Sequence, residues 1–135
     1  MISCYELRIG NYVLVDARPG LISAITNTSV STIEKDDQLQ EASKHGFEHI
    51  EPAPLTDELL KQCGFVYHDY FKIWQLIPGI EGKRSELDID RDYDVVDFMR
   101  RPIIKNVTSL HQLQNIYFML KGRELNVEAK AVAVN

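Results

Sequence analysis

The sequence of 135 residues is poor in cysteine: it has only Cys4 and Cys63, and neither belongs to a C-x-x-C pair. Two thiols are too few for a disulfide framework, and no Cys/His spacing typical of a metal site surrounds them. We therefore predict two reduced thiols in a cytoplasmic protein. Nothing before Cys4 resembles a secretory signal, so we expect none. The chain also lacks an apolar run of about 20 residues, the length that a membrane-spanning helix needs.

Motifs of several common enzyme classes are missing as well. The sequence has no Gly-rich phosphate loop, no G-x-S-x-G elbow and no dinucleotide-binding fingerprint. Each of these motifs uses glycine to bring the backbone close to a ligand or a nucleophile. A catalytic pair of Cys63 with His68 or His111 stays open as an alternative. Cys63, however, lies on the apolar side of a short predicted helix, where an inert, buried thiol is expected.

Positive charge is in deficit, with a formal net charge of −5 at pH 7. Proteins that bind duplex DNA usually gain affinity from clustered lysines and arginines, so this charge argues against that class without excluding a local basic patch. Apolar residues make up 44% of the chain and charged residues 26%, which is the composition of a folded globular protein rather than a disordered one. The length predicts a single domain, 1–135, around one core.

Three short segments near the N-terminus are rich in β-branched residues: "NYVLV" (11–15), "LISAIT" (21–26) and "SVSTI" (29–33). Turn-forming residues separate them, first "RPG" (18–20) and then "NT" (27–28). This pattern predicts a three-stranded antiparallel meander. The start of the chain also resembles the first strands of small SH3-like barrels.

The polar segment 34–49 is predicted to form a loose helix, because small or apolar residues recur there at helical spacing (Leu39, Ala42, Gly46 and Ile50). Its letters "HGFEH" match the H-x-x-E-H zinc motif, in which two histidines one helical turn apart hold the metal and the glutamate acts as base. His45, Glu48 and His49 are therefore candidate ligands of a metal-dependent hydrolase. Because Gly46 and Pro52 disfavour the helix that this motif needs, we predict a surface loop with no metal, and no other cofactor is expected.

The middle of the chain predicts a short helix and an aromatic strand. Thr56 can cap the helix, Asp57 and Glu58 suit its positive end, and Gly64 ends it after about two turns. The segment 66–77 holds much of the aromatic mass and predicts a central strand or hairpin. Trp74 and Tyr70 within it can stack on bases, although aromatic residues in an apolar strand are more often core.

The segment 86–96 alternates strictly, with its acidic residues on one side (Glu86, Asp88, Asp90, Asp92 and Asp94). An alternation of acidic and apolar residues with a period of two predicts a strand that has one face exposed to water. The spacing also resembles a calcium loop, but Tyr93 and Met99 stand where that loop requires Gly and Glu. Residues 101–107 predict a last strand, and residues 126–135 a tail or a short added strand. The predicted fold class is α+β: antiparallel β meanders with a short middle helix and a C-terminal helix packed on the sheet.

The C-terminal helix is predicted within "SLHQLQNIYFMLKGREL" (109–125). Ser109 and Gln112 form a capping box, and Gly122 ends the helix. Apolar residues at i, i+3, i+4 and i+7 spacing predict a core face: Leu113, Ile116, Tyr117 and Leu120, joined by Leu110.

The opposite face of this helix carries the candidate binding residues: His111, Gln114, Asn115 and Phe118. Two arrangements are open. In the first, the face covers a sheet edge or loop of the fold, and its amides bond backbone groups. In the second, it is an exposed contact surface with Phe118 as the anchor.

Three blocks of the sequence, "ELRIGNYVL", "PAPLTDELLKQCGF" and "SLHQLQNIYFMLKGREL", resemble the signature blocks of a family of small uncharacterised proteins of gut bacteria, their bacteriophages and mobile elements. The blocks cover about forty residues in the same order. The resemblance implies a context rather than a mechanism: an accessory protein that works in the bacterial host cytoplasm by binding something. It gives no catalytic residues to carry over.

The first functional expectation is a non-enzymatic protein-binding module that acts on a host or phage protein or through self-association, with no membrane involved. The alternative is nucleic-acid binding through the N-terminal sheet or a basic patch of Arg100, Arg101 and Lys105. A metal-dependent hydrolase that uses His45, Glu48 and His49 is the third candidate. Sensitivity of nucleic-acid binding to salt distinguishes the second function from the first, and metal analysis tests the third.

Overall fold

The β-branched segments near the N-terminus form the first of two antiparallel sheets. The structure, a computed structural model, describes residues 2–34, 42–77, 84–128 and Val132. The first sheet contains β1 (Tyr12–Val15), β2 (Arg18–Ile25), β3 (Ser29–Ile33), β4 (Ser43–Gly46) and β5 (Ile50–Glu51) in the order β4-β3-β2-β1-β5. The predicted meander is therefore confirmed. The fifth strand returns beside the first after a 3-10 helix at Phe47–His49.

The first hairpin turn lies two residues earlier than the sequence predicts. The turn residues are Asp16 and Ala17, whose φ values of 50° and 63° are both positive, as a two-residue type I′ turn requires. Arg18, Pro19 and Gly20 belong to β2 instead, with Pro19 opposite Leu14. Pro19 has no N–H to donate. It is tolerated because, among the described residues, β2 pairs with β3 only from Leu21 onward, so no strand needs a donor from Pro19 on that side of β2.

The loose helix predicted over 34–49 is wrong where the structure describes that segment. Residues 43–46 form strand β4, which pairs with β3 and aligns His45 with Val30. Residues 35–41 lie outside the described residues. The spacing that predicts a helix here rests on few apolar residues, and pairing with the exposed edge of β3 determines the local structure instead.

The second sheet follows the short helix α1 (Asp57–Gln62). Its strands are β6 (Phe65–His68), β7 (Ile73–Leu76), β8 (Asp88–Asp90), β9 (Val95–Val96) and β10 (Pro102–Ile104), in the order β10-β9-β8-β7-β6. The Thr56 hydroxyl accepts the Leu59 N–H at 3.1 Å, as its capping role predicts. The aromatic segment forms the hairpin β6–β7, one of its two predicted forms.

The single acidic strand predicted over 86–96 is in fact a hairpin, β8–β9. The Asp90 carboxylate accepts the N–H groups of Asp92 and Asp94 at 2.9 and 3.0 Å. Tyr93 takes a φ of 61° between them. Alternation of acidic and apolar residues suits a strand equally well, but an aspartate that bonds its own backbone favours a turn.

Helix α2 (Leu110–Lys121) ends at Gly122, whose φ is 71°, as predicted. Leu110, Leu113, Ile116 and Tyr117 are buried as the core face. Leu120 was expected there too, but it is 52% exposed because the last turn of the helix extends beyond the core. The α+β fold, with a middle helix and a C-terminal helix beside antiparallel sheets, is as the sequence predicts.

The apolar side chains divide into two clusters. The larger one joins both helices and the second sheet to Tyr12 of the first sheet. The C-terminal segment contributes Leu125, Val127 and Val132 to it, and residues 124–128 belong to neither a helix nor a strand. The smaller cluster fills the first sheet around Val13. Among the helices described, none has the length and apolar character needed to cross a membrane.

Replacing Ala17 by Gly is expected to raise the free energy of unfolding by about 0.5–1 kcal/mol, because Gly accepts a positive φ without the cost that a Cβ adds. Ala24, within β2, is the matched control: there the same substitution should lower stability by about 0.5–1 kcal/mol. Urea unfolding of the two variants measures both values. An Ala17→Gly variant less stable than the parent protein would contradict the type I′ turn.

Candidate functional site

The H-x-x-E-H residues do not form the helical pair that binds zinc. His45 lies on β4, whereas Glu48 and His49 lie in the 3-10 helix that follows. The Nε2 atom of His49 is 3.5 Å from Oε1 of Glu48, and both side chains are more than half exposed. The described part of the chain contains no cluster of three His, Cys, Asp or Glu side chains able to hold a metal ion. The segment is therefore a strand followed by a 3-10 helix rather than the predicted surface loop, and the exposed side chains of Glu48 and His49 lie outside the strand.

Two aspartates of the acidic run, Asp90 and Asp94, and the nearby Asp97 bond the protein's own backbone. Besides the Asp90 turn, Oδ1 of Asp94 accepts the Asn106 N–H at 2.8 Å. Asp97 holds the next turn: its Oδ1 accepts the N–H groups of Met99 and Arg101, each at 2.9 Å. These bonds to the charged form of Asp97 lower its pKa below the ordinary value. Asp90, Asp94 and Asp97 are thus carboxylates that hold the backbone, which is a different use of these residues from a calcium loop.

The three cations of the predicted basic patch do not share one surface. The Arg100 guanidinium stacks over the Phe71 ring, 4.3 Å from its centroid. Arg101 donates from Nε to Asp97 at 3.0 Å and so has a carboxylate partner. Lys105 lines a different cleft, beside Tyr5. A continuous phosphate-binding surface is therefore not formed by these three residues.

The candidate face of α2 is directed into the fold. Gln114 is only 2% exposed. Its Oε1 accepts the Tyr12 N–H at 2.8 Å, and its Nε2 donates to the Gly10 carbonyl at 3.1 Å. Strand β5 pairs with β1 only at Leu14 and Val15, so β5 does not extend as far as Tyr12. The Gln114 amide bonds the backbone there, which is the first of the two predicted arrangements.

Asn115 extends the same contact toward the N-terminus. Its Nδ2 donates to the Glu6 carbonyl at 2.9 Å, and its Oδ1 accepts from Nδ2 of the buried Asn11 at 2.8 Å. Oδ1 of Asn11 in turn accepts the Arg8 N–H at 2.8 Å. One residue of α2 thereby fixes the turn that leads into β1.

His111 and Phe118 complete the candidate face. His111 is 2% exposed, and burial lowers its pKa, while the Glu6 carboxylate, 3.8 Å from Nε2, acts in the opposite direction. Phe118 is 38% exposed, with the Arg8 guanidinium stacked 4.1 Å from its centroid. Arg8 also pairs with Glu124. Of the four candidates, only Phe118 presents substantial surface, and Arg8 covers part of it.

Cys63 has the environment of an inert thiol. It is 5% exposed, and desolvation by burial raises its pKa to about 12. The thiol is therefore protonated at neutral pH, and a protonated thiol is a poor nucleophile.

A groove on the second sheet gathers exposed apolar side chains that the sequence does not single out. Four of them define what we call the aromatic groove: Phe71, Phe98, Ile103 and Leu120. Their exposed fractions are 43, 87, 58 and 52%. Ile73, Val95 and Val96 lie at the base of the groove, whose volume is about 510 Å³. Arg84, Glu86, Asp88 and Arg100 are its charged lining residues.

The groove is held by its turns. Asp97 fixes the turn that displays Phe98, and Arg100 takes a φ of 61° there to reach Phe71. The signal that could have revealed this surface is "DFMRRP" (97–102), since large apolar residues within a charged turn cannot all enter the core.

Gln114→Ala is expected to lower the free energy of unfolding by about 2–4 kcal/mol, because it removes both the acceptor that the buried Tyr12 N–H uses and the donor to the Gly10 carbonyl. Gln112→Ala is the matched control on the same helix. The Gln112 Oε1 accepts from groups at the helix start, namely the N–H and hydroxyl of Thr108 and the Ser109 N–H at 3.2 Å, so its loss should cost about 1 kcal/mol. Equal costs in urea unfolding would contradict the role of Gln114.

The depressed pKa of His111 predicts a dependence of stability on pH. Because unfolding restores the ordinary pKa of 6.5, the unfolded chain binds the proton more readily, and stability is lost as pH falls through about 6.5 toward the folded pKa. The unfolding free energy should be measured at about pH 7.5 and about pH 5.5, roughly one unit either side of the ordinary histidine pKa. We expect the difference between the two values to be smaller in His111→Gln than in the parent protein. It should not change in His49→Gln, whose imidazole is exposed. An unchanged difference in both variants would refute this assignment.

Comparison of the chain with protein-family models, with curated proteins and with solved structures gave no match. The resemblance of its three sequence blocks to proteins of gut bacteria, bacteriophages and mobile elements therefore stays an expectation. Function has to be inferred from the surfaces themselves, and on the described residues the aromatic groove brings together four exposed apolar side chains.

Proposed function

We propose that this protein is a non-enzymatic protein-binding module whose aromatic groove holds a partner segment with apolar anchors and acidic flanks. The observation that carries the proposal is the convergence of four large exposed apolar side chains, Phe71, Phe98, Ile103 and Leu120, on one groove. Contiguous exposed apolar surface is typical of interaction sites, whereas single exposed apolar residues are not informative.

The groove is suited to binding because its shape does not have to form on contact. The Asp97 carboxylate fixes the backbone on both sides of Phe98, and the stacked Arg100 limits the motion of Phe71. A surface ordered in advance loses less conformational entropy when a partner binds. Aromatic side chains of this kind are common anchors at protein interfaces.

Charge favours an acidic partner over a second copy of the chain. The two carboxylates of the groove are engaged: Glu86 accepts from Arg123 and from the Tyr117 hydroxyl, and Asp88 accepts from Gln75 at 3.4 Å. Within the described part of the chain, neither Arg84 nor Arg100 has a carboxylate partner. A stacked guanidinium keeps its N–H donors free at the edge, where they can bind a carboxylate.

The proposal also includes the cellular setting in which the protein meets its partner. An accessory protein of a bacteriophage or mobile element, as the resemblance implies, would meet its partner in the bacterial host cytoplasm. The partner would be a host or phage protein that offers an acidic segment with aromatic or aliphatic anchors.

Selection of displayed random peptides on the immobilised protein tests the groove directly, because a random library covers many partner segments at once. Peptides that also bind a Phe98→Ser variant are removed first. We expect the remaining sequences to share aromatic or aliphatic residues flanked by Asp or Glu, and their binding to weaken with added salt. Enrichment of basic peptides, or no enrichment above the variant, would refute the proposal.

Affinity of the selected peptide for groove variants gives the quantitative test. Phe98→Ser and Ile103→Ser should each cost about 2 kcal/mol, or roughly thirtyfold in Kd. Tyr5→Ser is the control, since Tyr5 is 96% exposed and lies at another cleft. Sedimentation of the free protein tests whether a second copy of the chain occupies the groove instead. A dimer that the Phe98→Ser substitution dissociates would assign the groove to self-association and overturn the proposal of an acidic partner.

A further inference from the structure

A second cleft, independent of the aromatic groove, opens where α1 meets β6, β7 and the β8–β9 turn. Its volume is about 590 Å³. Its lining residues are Asp57, Lys61, Tyr67, Asp69, Lys72, Trp74, Arg91 and Tyr93. Successive residues of a strand point to opposite faces of the sheet. Trp74 lines this cleft while Ile73 and Gln75 line the aromatic groove, so the two sites lie on opposite faces of β7.

Three cations converge on the cleft from three separate elements. Lys61 comes from α1, Lys72 from the β6–β7 turn and Arg91 from the β8–β9 turn. None of them has a carboxylate within ion-pair distance in the described part of the chain. The net charge of the chain is −5. Three unpaired cations around one cleft therefore form a local region of positive charge on a negatively charged protein. Such a group attracts an anion.

Aromatic rings form the wall between these charges. The Tyr67 and Trp74 rings are 5.0 Å apart between centroids, at an interplanar angle of 57°. The Tyr93 hydroxyl donates to Oδ1 of Asp57 at 2.5 Å, which fixes the third ring. Tyr67 and Tyr93 are partly exposed, so each can offer ring surface to a ligand. Asp57 is engaged by Tyr93, and Asp69 is left as an acceptor for N–H donors.

The backbone adds a separate indication at the same place. Lys72 and Tyr93 have φ values of 59° and 61°, in the left-handed region that side chains with a Cβ rarely adopt. Both residues line this cleft. Conformations of this kind concentrate at functional sites, where they aim a particular side chain.

We infer that this cleft binds a flat heteroaromatic ring that carries a phosphate, the chemistry of a nucleotide unit. The cations hold the phosphate, an exposed tyrosine face stacks on the ring, and the Asp69 carboxylate accepts an N–H of the base. Both a free mononucleotide and a nucleotide within a single strand present this chemistry. Duplex DNA does not, because its bases are stacked inside.

The cleft contains its own reporter, since Trp74 is the only tryptophan of the chain. Its fluorescence would be followed while adenosine 5′-monophosphate, adenosine, inorganic phosphate and a single-stranded oligothymidylate of about ten nucleotides are added separately. We expect the monophosphate to change the emission at lower concentration than adenosine or phosphate alone. Tighter binding of the oligonucleotide would identify the single strand as the source, and equal or weaker binding the free nucleotide.

Variants connect the signal to the three cations. Lys72→Gly removes the charge and at the same time relieves the positive φ, so loss of binding cannot be attributed to unfolding. Lys72→Gly and Arg91→Gln should each weaken binding of the monophosphate about tenfold. Lys44→Gln, on β4 in the other sheet, is the matched control and should leave it unchanged. Absence of a fluorescence response to all four probes at about 1 mM, or unchanged affinity in a variant that combines Lys72→Gly with Arg91→Gln, would overturn the inference.

Discussion

The side-chain amide of Gln114 bonds the backbone of β1 beyond the two residues that pair with β5, and the packing of α2 depends on it. One atom of the amide accepts the Tyr12 N–H, and the other donates to the Gly10 carbonyl. A peptide group of an adjacent strand would make the same two bonds. Because a buried backbone group without a partner costs about 1–3 kcal/mol, these bonds bind the helix to the sheet and fix its register. The Tyr12 ring then enters the core shared with α2 and the second sheet.

This contact determines where a partner can bind. Gln114 and His111 are buried, and Asn115 bonds the turn before β1, so the polar face of α2 is used within the fold. The aromatic groove and the cleft beside Trp74 both lie on the second sheet, where aspartates hold two of the turns. Asp90 and Asp97 bond the backbone around two turns, one beside each site. The same carboxylates that resemble an acidic stripe in the sequence therefore keep both surfaces in shape.

Rules for helix capping and termination correctly predicted those helix ends that depend on a single residue. The Thr56 cap, the Gly122 end and the bond of Gln112 to the Ser109 N–H are all found in the structure. Local sequence rules failed where two signals compete. Pro19 and Gly20 are strong turn formers, yet the turn falls on Asp16 and Ala17, because pairing of β1 with β2 over four residues outweighs turn preference. Alternation suggested one strand across Asp90, where side-chain bonds to the backbone make a turn.

The candidate site was only partly accessible to sequence reasoning. The sequence left two arrangements open for the polar face of α2. One of them, in which the face covers a sheet edge, is the geometry found for Gln114. The aromatic groove was not anticipated, because it joins Phe71, Phe98 and Leu120 from distant parts of the chain. No periodicity connects these residues. Only the exposed apolar pair in the turn after Asp97 gives a local indication of it.

Amide hydrogen exchange at Tyr12 is the most direct measurement of the contact on which this arrangement rests. If the Gln114 amide bonds this part of β1, the Tyr12 N–H should exchange only through global unfolding. Its exchange free energy should then match that of Ile22, whose N–H is bonded to the Asn11 carbonyl at 2.9 Å, within about 1 kcal/mol. Exchange of the Tyr12 amide by local opening, at a free energy far below that of Ile22, would show that the polar face of α2 is free, and would contradict its structural role.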